Sequence, residues 1–121
     1  MRGKDGWGSI WAAYRYRARK KGFTWQLTRE EFEAMLIEPC FYCGQPPTEL
    51  NGNVVTVRGV QNYYSGVDRV NNDPIYSEGL CVPCCARCNM AKGELTQEEF
   101  LKHAKRIVKH AQAKWRAKKA P

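Results

Sequence analysis

Hydrophobic positions recur with helical spacing at both ends of the chain and with shorter, strand-like spacing in the middle. Near the N-terminus, apolar residues separated by three or four positions predict a helix over 9–21. Ser9 is expected to cap its start, and Gly22 stands where many helices end in a left-handed residue. The apolar side of this helix consists of Ile10, Trp11, Tyr14 and Ala18.

Two segments of the form Thr-x-x-Glu predict further helix starts, because the two side chains satisfy free backbone N–H groups in the first turn. The box Thr28–Glu31 predicts a helix over 29–37. The box Thr96–Glu99 predicts a final helix of about 20 residues, whose end after Trp115 is expected to fray. The apolar stripe of this last helix consists of Phe100, Ala104, Ile107, Val108, Ala111 and Trp115.

Between these helices, turn residues divide the chain into short strands. An extended link is expected over 23–27. Asn51-Gly52 is typical of a hairpin turn, and it predicts that 48–50 pairs with the valine-rich segment 54–57. The first half of the middle region is therefore interpreted as a link, a helix and a hairpin.

A second strand pair is predicted further along the chain. Residues 67–70 form the first strand, 71–74 supply the turn, and 75–82 return antiparallel. Pro83 is expected to end the return, and a short helix is predicted over 86–92, closed by Gly93.

Charge divides the chain into basic ends and an acidic centre. The net charge is +8 over 121 residues. Residues 1–22 hold seven Lys or Arg against one acid, and residues 101–121 hold eight and no acid. Basic segments interleaved with aromatic residues indicate nucleic-acid binding through phosphates. The alternative is that these cations form solvated helix faces.

The chain has no apolar run of the roughly 20 residues that a membrane span requires, and no signal peptide is visible. We therefore expect a cytoplasmic protein that is not bound to a membrane. In a reducing compartment, the six cysteines are more readily interpreted as metal ligands than as disulfides.

Two Cys-x-x-Cys pairs predict a structural zinc site, since each pair can bind one ion from a tight turn. The pairs are Cys40 with Cys43 and Cys85 with Cys88. Cys81 and Cys84 have the same spacing and provide an alternative second pair. We prefer Cys85 and Cys88, because the helix over 86–92 then starts directly after the first of them.

The order of these parts resembles the ββα-metal module of HNH endonucleases, and most closely the phage-type subgroup. The resemblance extends over about residues 12–101. It rests on Cys40 and Cys43, Asp68-Arg69, Tyr76, Pro83-Cys84-Cys85, and Cys88-Asn89 followed by Lys92.

The resemblance implies an α+β fold, in which a small zinc-stabilised domain has a ββα-metal hairpin-helix core and flanking basic helices. We expect one HNH-like domain over 1–121. It would comprise a basic helical region (1–38), the zinc-stapled module (39–93) and a basic C-terminal helix (94–121). The resemblance also implies a phage gene expressed in a bacterial host.

The implied activity is metal-assisted hydrolysis of DNA phosphodiester bonds. Asp68 and Asn89 match the ligands of the catalytic divalent ion, for which oxygen donors suit Mg²⁺ or Mn²⁺. Arg69 and Lys92 complete the implied catalytic set, and the oligomeric state stays open. The residues expected to bind DNA are Arg15, Arg19, Arg69 and Lys92. Three residues of the implied catalytic set also have simpler possible roles: Asp68 as a turn cap, Asn89 as a helix cap and Lys92 as a solvated lysine.

Two positions depart from the family pattern. Arg69 stands where the general-base histidine is usual, and arginine stays protonated. Leu80 stands where an asparagine braces the catalytic loop. His103 and His110 are interpreted as surface or core-edge residues of the last helix rather than as displaced bases. These departures favour, as the alternative function, a zinc-containing DNA-binding module without catalysis; a zinc domain that binds proteins agrees less well with the basic ends.

Overall fold

The computed structural model describes residues 6–49 and 52–119, and within these ranges the chain contains helices and short two-stranded sheets. This mixed architecture confirms the predicted α+β class. In chain order the elements are α1 (Gly6–Lys20), β1 (Thr24–Trp25), α2 (Arg29–Leu36), β2 (Asn53–Val57), β3 (Val60–Tyr64), β4 (Gly66–Arg69), β5 (Ile75–Tyr76), β6 (Cys81–Cys84), α3 (Ala86–Lys92) and α4 (Gln97–Lys119).

Helix α1 begins three residues earlier than predicted, so the N-cap assigned to Ser9 is wrong. The reason is tertiary packing, because Gly6 lies directly against β2. A Cβ at Gly6 would lie 2.5 Å from a methyl group of Val55 and 2.6 Å from the carbonyl oxygen of Thr56. Only glycine allows so close an approach.

The remaining helix boundaries follow the local signals. Gly22 has a φ of 76°, which confirms the left-handed end of α1. The capping box of Thr28 and Glu31 is present at the start of α2. Thr96 and Glu99 make the same reciprocal hydrogen bonds before α4. Helix α4 extends through Lys119, and the fraying expected after Trp115 stays a prediction.

The first hairpin has its turn at a different place from the one predicted. Strands β2 and β3 pair antiparallel through Val57 and Val60. The turn is Arg58-Gly59, whose φ angles of 52° and 79° suit the twist of a two-residue hairpin. Asn51, on which the predicted turn depended, lies outside the described residues, and so does Leu50. Thr48 and Glu49 are not in a strand.

The second strand pair is present, but its return strand lies further along the chain than the predicted 75–82, at Cys81–Cys84. Strand β4 pairs antiparallel with β6, with Asp68 opposite Val82. Pro83 lies inside β6 instead of ending it, which an edge strand of a two-stranded sheet tolerates. The segment Ile75–Tyr76 pairs parallel with β1 instead of β4, so part of the expected link over 23–27 belongs to a sheet.

The hydrophobic core lies against one side of β4 and fixes that strand. Phe32 is fully buried, and its ring lies 5.0 Å from that of Tyr14 and 5.6 Å from that of Trp11. The Tyr14 hydroxyl accepts a hydrogen bond of 3.2 Å from the Val67 N–H. Since Val67 precedes Asp68 in β4, core packing determines where Asp68 lies. The buried apolar cluster consists of Ile10, Leu27, Phe32, Leu36, Val67 and Cys81.

Candidate functional site

Four thiols converge where the turn after α2 meets the start of α3. Their sulfur atoms all lie within 4.8 Å of one another. The sulfurs of Cys43 and Cys85 are 3.8 Å apart, and a tetrahedral zinc ion with bonds of about 2.3 Å requires a separation of about 3.8 Å. The cluster is therefore compatible with zinc. It consists of Cys40, Cys43, Cys85 and Cys88.

Backbone hydrogen bonds hold the two halves of this cysteine cluster in place. The Cys40 N–H donates to the Gln45 carbonyl, which closes the turn. The Phe41 N–H donates to the Pro83 carbonyl, which ties the turn to β6. Cys85 is the N-cap of α3, and its sulfur accepts a hydrogen bond from the Cys88 N–H. The cysteine spacing therefore matches turns that the backbone itself stabilises.

The environment of Cys40 favours the thiolate, which is the form that binds metals. Burial opposes the charge and would raise the pKa. Backbone N–H groups of Cys85, Cys43 and Tyr42 outweigh burial and lower the pKa of Cys40 to about 7.

The alternative pair, Cys81 and Cys84, does not belong to the cluster. Both thiols are buried, and burial raises the pKa of each. The Cys84 sulfur donates to the Cys85 carbonyl at 3.4 Å. The preferred assignment of the second pair thus agrees with the geometry.

The carboxylate of Asp68 lies at the other end of α3, in a buried polar pocket. Asp68 is 6% exposed and Lys92 is 1% exposed. The Lys92 ammonium donates to Oδ1 of Asp68 at 3.2 Å and to the Arg69 carbonyl at 3.3 Å. The Tyr42 hydroxyl donates to Oδ2 at 2.7 Å. Each carboxylate oxygen therefore accepts a hydrogen bond, and the one from Tyr42 is the shorter.

The structure excludes the simpler of the two roles considered for Lys92. Lys92 is not a solvated helix lysine, because its side chain is fully buried. In this arrangement it binds Asp68, so a contact with a phosphate would require the ammonium to move. A buried ion pair of this kind is tolerated because both charges are hydrogen-bonded.

Tyr42 is a site residue to which sequence reasoning assigned no role. Its backbone belongs to the cysteine turn, and its ring packs 5.3 Å from that of Phe100 in α4. Burial and the adjacent Asp68 carboxylate raise the pKa of Tyr42, so the hydroxyl stays protonated and donates. The available signal was its position between Cys40 and Cys43.

Asn89 lies on α3 between the cysteine cluster and the Asp68 pocket. Its side chain is exposed, and its backbone N–H donates to the Cys85 carbonyl within the helix. The N-cap of α3 is Cys85, so the simpler reading of Asn89 as a helix cap is wrong.

Arg69 is held by its neighbours at the edge of the site. Its guanidinium donates to the Asp73 carbonyl at 2.7 Å and stacks over the Phe23 ring at 4.3 Å. On α1, Arg15 stacks over Trp11 at 5.0 Å, and Arg19 is exposed. The four residues predicted to bind DNA therefore lie in different settings, and only Lys92 among them is fully buried.

Known proteins resemble this chain in both sequence and fold. No family model matches it. The uncharacterized protein R423 of Acanthamoeba polyphaga mimivirus is 32% identical over 88 residues, which are 73% of this chain. The chain spans only 14% of the length of that relative. A solved structure of the rare-cutting HNH restriction endonuclease PacI is similar with a TM-score of 0.63 and 25% identity, covering 89% of this chain and 80% of PacI. The chain has an HNH-type endonuclease fold.

Leu80 is one of the two positions that depart from the family pattern. At Leu80, where an asparagine was expected, the backbone takes part in bracing: the Val70 N–H donates to the Leu80 carbonyl at 2.9 Å. The Asn72 side chain adds a second brace by donating to the Leu95 carbonyl at 3.1 Å. His103 and His110 are exposed on α4, as predicted for surface residues.

The helices leave no candidate for a membrane segment. Within residues 6–49 and 52–119, none is both long enough and apolar enough to cross a bilayer.

Proposed function

We propose that this protein is a DNA endonuclease that hydrolyses phosphodiester bonds with one divalent metal ion. The observation that carries the proposal is the buried Asp68 carboxylate, held between the cysteine turn and α3 of an HNH-type fold. The named activity of PacI, a rare-cutting HNH restriction endonuclease, supports DNA as the substrate.

Two kinds of metal would have separate places in this proposal. The cysteine cluster would hold zinc for structural reasons, since four thiolates are the usual donors of closed zinc sites. Asp68 and Asn89 would hold Mg²⁺ or Mn²⁺, because carboxylate and amide oxygens are the donors these ions prefer. When bound, the divalent ion would supply Lewis-acid stabilisation of the charge that develops on the phosphate.

The remaining side chains would orient this site and bind the substrate. The Tyr42 hydroxyl holds Oδ2 of Asp68, which fixes the direction of the carboxylate. Arg69 could bind a phosphate with two hydrogen bonds, but it cannot act as an ordinary base. When the metal ion and DNA bind, the Lys92 ammonium would leave Oδ1 of Asp68 and contact a DNA phosphate. Arg15 and Arg19 would add phosphate contacts from α1.

A non-catalytic DNA-binding module is the second candidate. The observation that favours it is the ion pair itself, because the Lys92 ammonium competes with a divalent ion for Asp68. Arg69 in place of a histidine points in the same direction. On this alternative the pocket would be a structural ion pair, and the basic helices would do the binding.

Incubation of the purified protein with supercoiled plasmid and Mg²⁺ or Mn²⁺ separates the two candidates. We expect nicking or linearisation by the wild type, none by Asp68→Ala, and ordinary activity in the control Asp73→Asn, which alters an exposed carboxylate five residues away. Asn89→Ala provides a second test, because its exposed side chain leaves folding intact. Retention of DNA on a gel without any cleavage, unchanged in these variants, would support the non-catalytic alternative.

The viral source and the cellular compartment are also proposals. The mimivirus relative supports a viral gene, whereas phage origin and a bacterial cytoplasm stay predictions.

A further inference from the structure

Helix α4 carries a row of cations on the side opposite its apolar stripe. At about 100° per residue, the cations fall within an arc of about 100°. All of them are exposed, and the helix contains no acid after Glu99. This basic row of α4 consists of Lys102, Lys105, Arg106, Lys109 and Arg116.

The basic row begins beside the candidate nuclease site. The Gln97 N–H, at the start of α4, donates to the Val70 carbonyl at 2.9 Å. Lys102 and Lys105 line an open groove together with Val70 and Asn71, the residues that directly follow Asp68-Arg69. Glu98 also lines this groove and pairs with Lys102 at 3.3 Å. The row therefore starts next to the end of the strand that carries the Asp68 carboxylate.

The dimensions and the charge of α4 fit duplex DNA. With a rise of about 1.5 Å per residue, the basic row from Lys102 to Arg116 extends about 21 Å, which is roughly two thirds of one turn of a B-form duplex. Duplex DNA carries one negative charge per about 1.7 Å of its axis. A second copy of this helix is a poor partner for the row, because cations would face cations.

We propose that the basic row of α4 is a duplex-binding arm that contacts the phosphate backbone on one side of the cleavage point. The inference rests on the proposed function, because the arm would hold the DNA that the Asp68 site cuts. It assigns to α4 a role that the side chains at the Asp68 pocket do not supply: affinity for several consecutive phosphates that is independent of base sequence.

Two matched lysine pairs on α4 test this proposal. Lys105→Gln/Lys109→Gln removes two cations from the basic row, and Lys114→Gln/Lys118→Gln removes two from the opposite, apolar side. Both pairs are exposed, have the same spacing and change the net charge equally. The Kd for a 30-base-pair duplex (about three turns) is measured against salt concentration without added divalent metal, beside a single strand of the same length.

We expect Lys105→Gln/Lys109→Gln to lower the slope of log Kd against log salt by about 1.8, since each lost phosphate contact contributes about 0.9. The slope for Lys114→Gln/Lys118→Gln should equal that of the wild type. Circular dichroism should show the same helix content in both. The proposal would be overturned if both variants lowered the slope equally, if neither lowered it, or if the slope fell only for the single strand. Plasmid cleavage by the same variants is scored separately. If the plasmid is cleaved but the two variants have the same slope, only the duplex-binding role of α4 is refuted. If the slopes differ as expected but no plasmid is cleaved, only the proposed nuclease function is refuted.

Discussion

The cysteine cluster and the Asp68 pocket lie at opposite ends of one seven-residue helix, α3, and they differ in what holds them together. The cluster joins a turn to a helix start through four equivalent thiols. The pocket depends on three unlike groups from three elements: Asp68 on β4, Lys92 on α3 and Tyr42 from the cysteine turn. Because Tyr42 belongs to the cysteine turn, the pocket depends on the cluster. The cluster does not depend on the pocket in the same way, since none of its four cysteines belongs to the pocket.

Removal of cluster ligands should have the largest effect. Cys40→Ser/Cys85→Ser should lose zinc and unfold, because structural zinc contributes about 10 kcal/mol or more of apparent folding free energy in small domains. Metal analysis and circular dichroism provide the measurement. The control Cys81→Ser/Cys84→Ser alters two buried thiols outside the cluster and should keep its zinc. Full zinc content in the first variant would contradict the assignment.

Changes at Asp68 should abolish cleavage and spare the zinc. In Asp68→Asn we expect cleavage to fall at least about 10³-fold. We also expect a stability loss of about 3–5 kcal/mol, because the buried Lys92 is left without its partner. The double variant Asp68→Asn/Lys92→Met should recover most of that stability and stay inactive. Cleavage kinetics, thermal unfolding and zinc content check these outcomes, and loss of zinc from either variant would show that the pocket supports the cluster.

Tyr42→Phe should have a smaller effect that identifies a positioning role. The ring contact with Phe100 is kept and only the hydrogen bond to Asp68 is lost. We expect cleavage to fall about 10- to 100-fold, with a higher Mg²⁺ or Mn²⁺ concentration required for half-maximal rate. Tyr16→Phe deletes an exposed hydroxyl on α1 as the control. An unchanged metal dependence in Tyr42→Phe would leave Tyr42 with a packing role alone.

Arg69→Lys should have the smallest effect. Lysine keeps the charge but loses the planar stacking on Phe23 and the fixed donation to the Asp73 carbonyl. Loss of the stacking should cost about 0.5–1 kcal/mol of stability, and DNA binding should weaken a few-fold because bidentate phosphate contact is lost. Thermal denaturation and a binding titration measure the two quantities. An unchanged DNA affinity would remove Arg69 from the proposed DNA contacts.

The cysteine cluster and the starts of α2 and α4 could be predicted from the sequence because their chemistry is local. A Cys-x-x-Cys pair needs one turn, and a capping box needs four residues, so the assignments for Cys40, Cys85, Thr28 and Thr96 required no tertiary information. The start of α1 could not be predicted in this way. It depends on the close approach of Gly6 to β2, which is distant in sequence.

The partners of Asp68 could not be predicted from the sequence for a related reason. Lys92 looks like a surface residue of a short helix until the packing of α3 against β4 buries it. Tyr42 is separated from Asp68 by 26 positions, and no periodicity links them. The hairpin was misplaced because Asn51-Gly52 is the stronger turn signal, although Arg58-Gly59 adopts the required positive φ angles.

The distribution of metals in a crystal soaked with Mn²⁺ tests the central claim most directly. We predict a zinc anomalous signal at the cysteine cluster and a manganese signal at Asp68 and Asn89, with the Lys92 ammonium moved from Oδ1. A zinc signal alone, with Lys92 still bound to Asp68 at high Mn²⁺ concentration, would contradict the nuclease account.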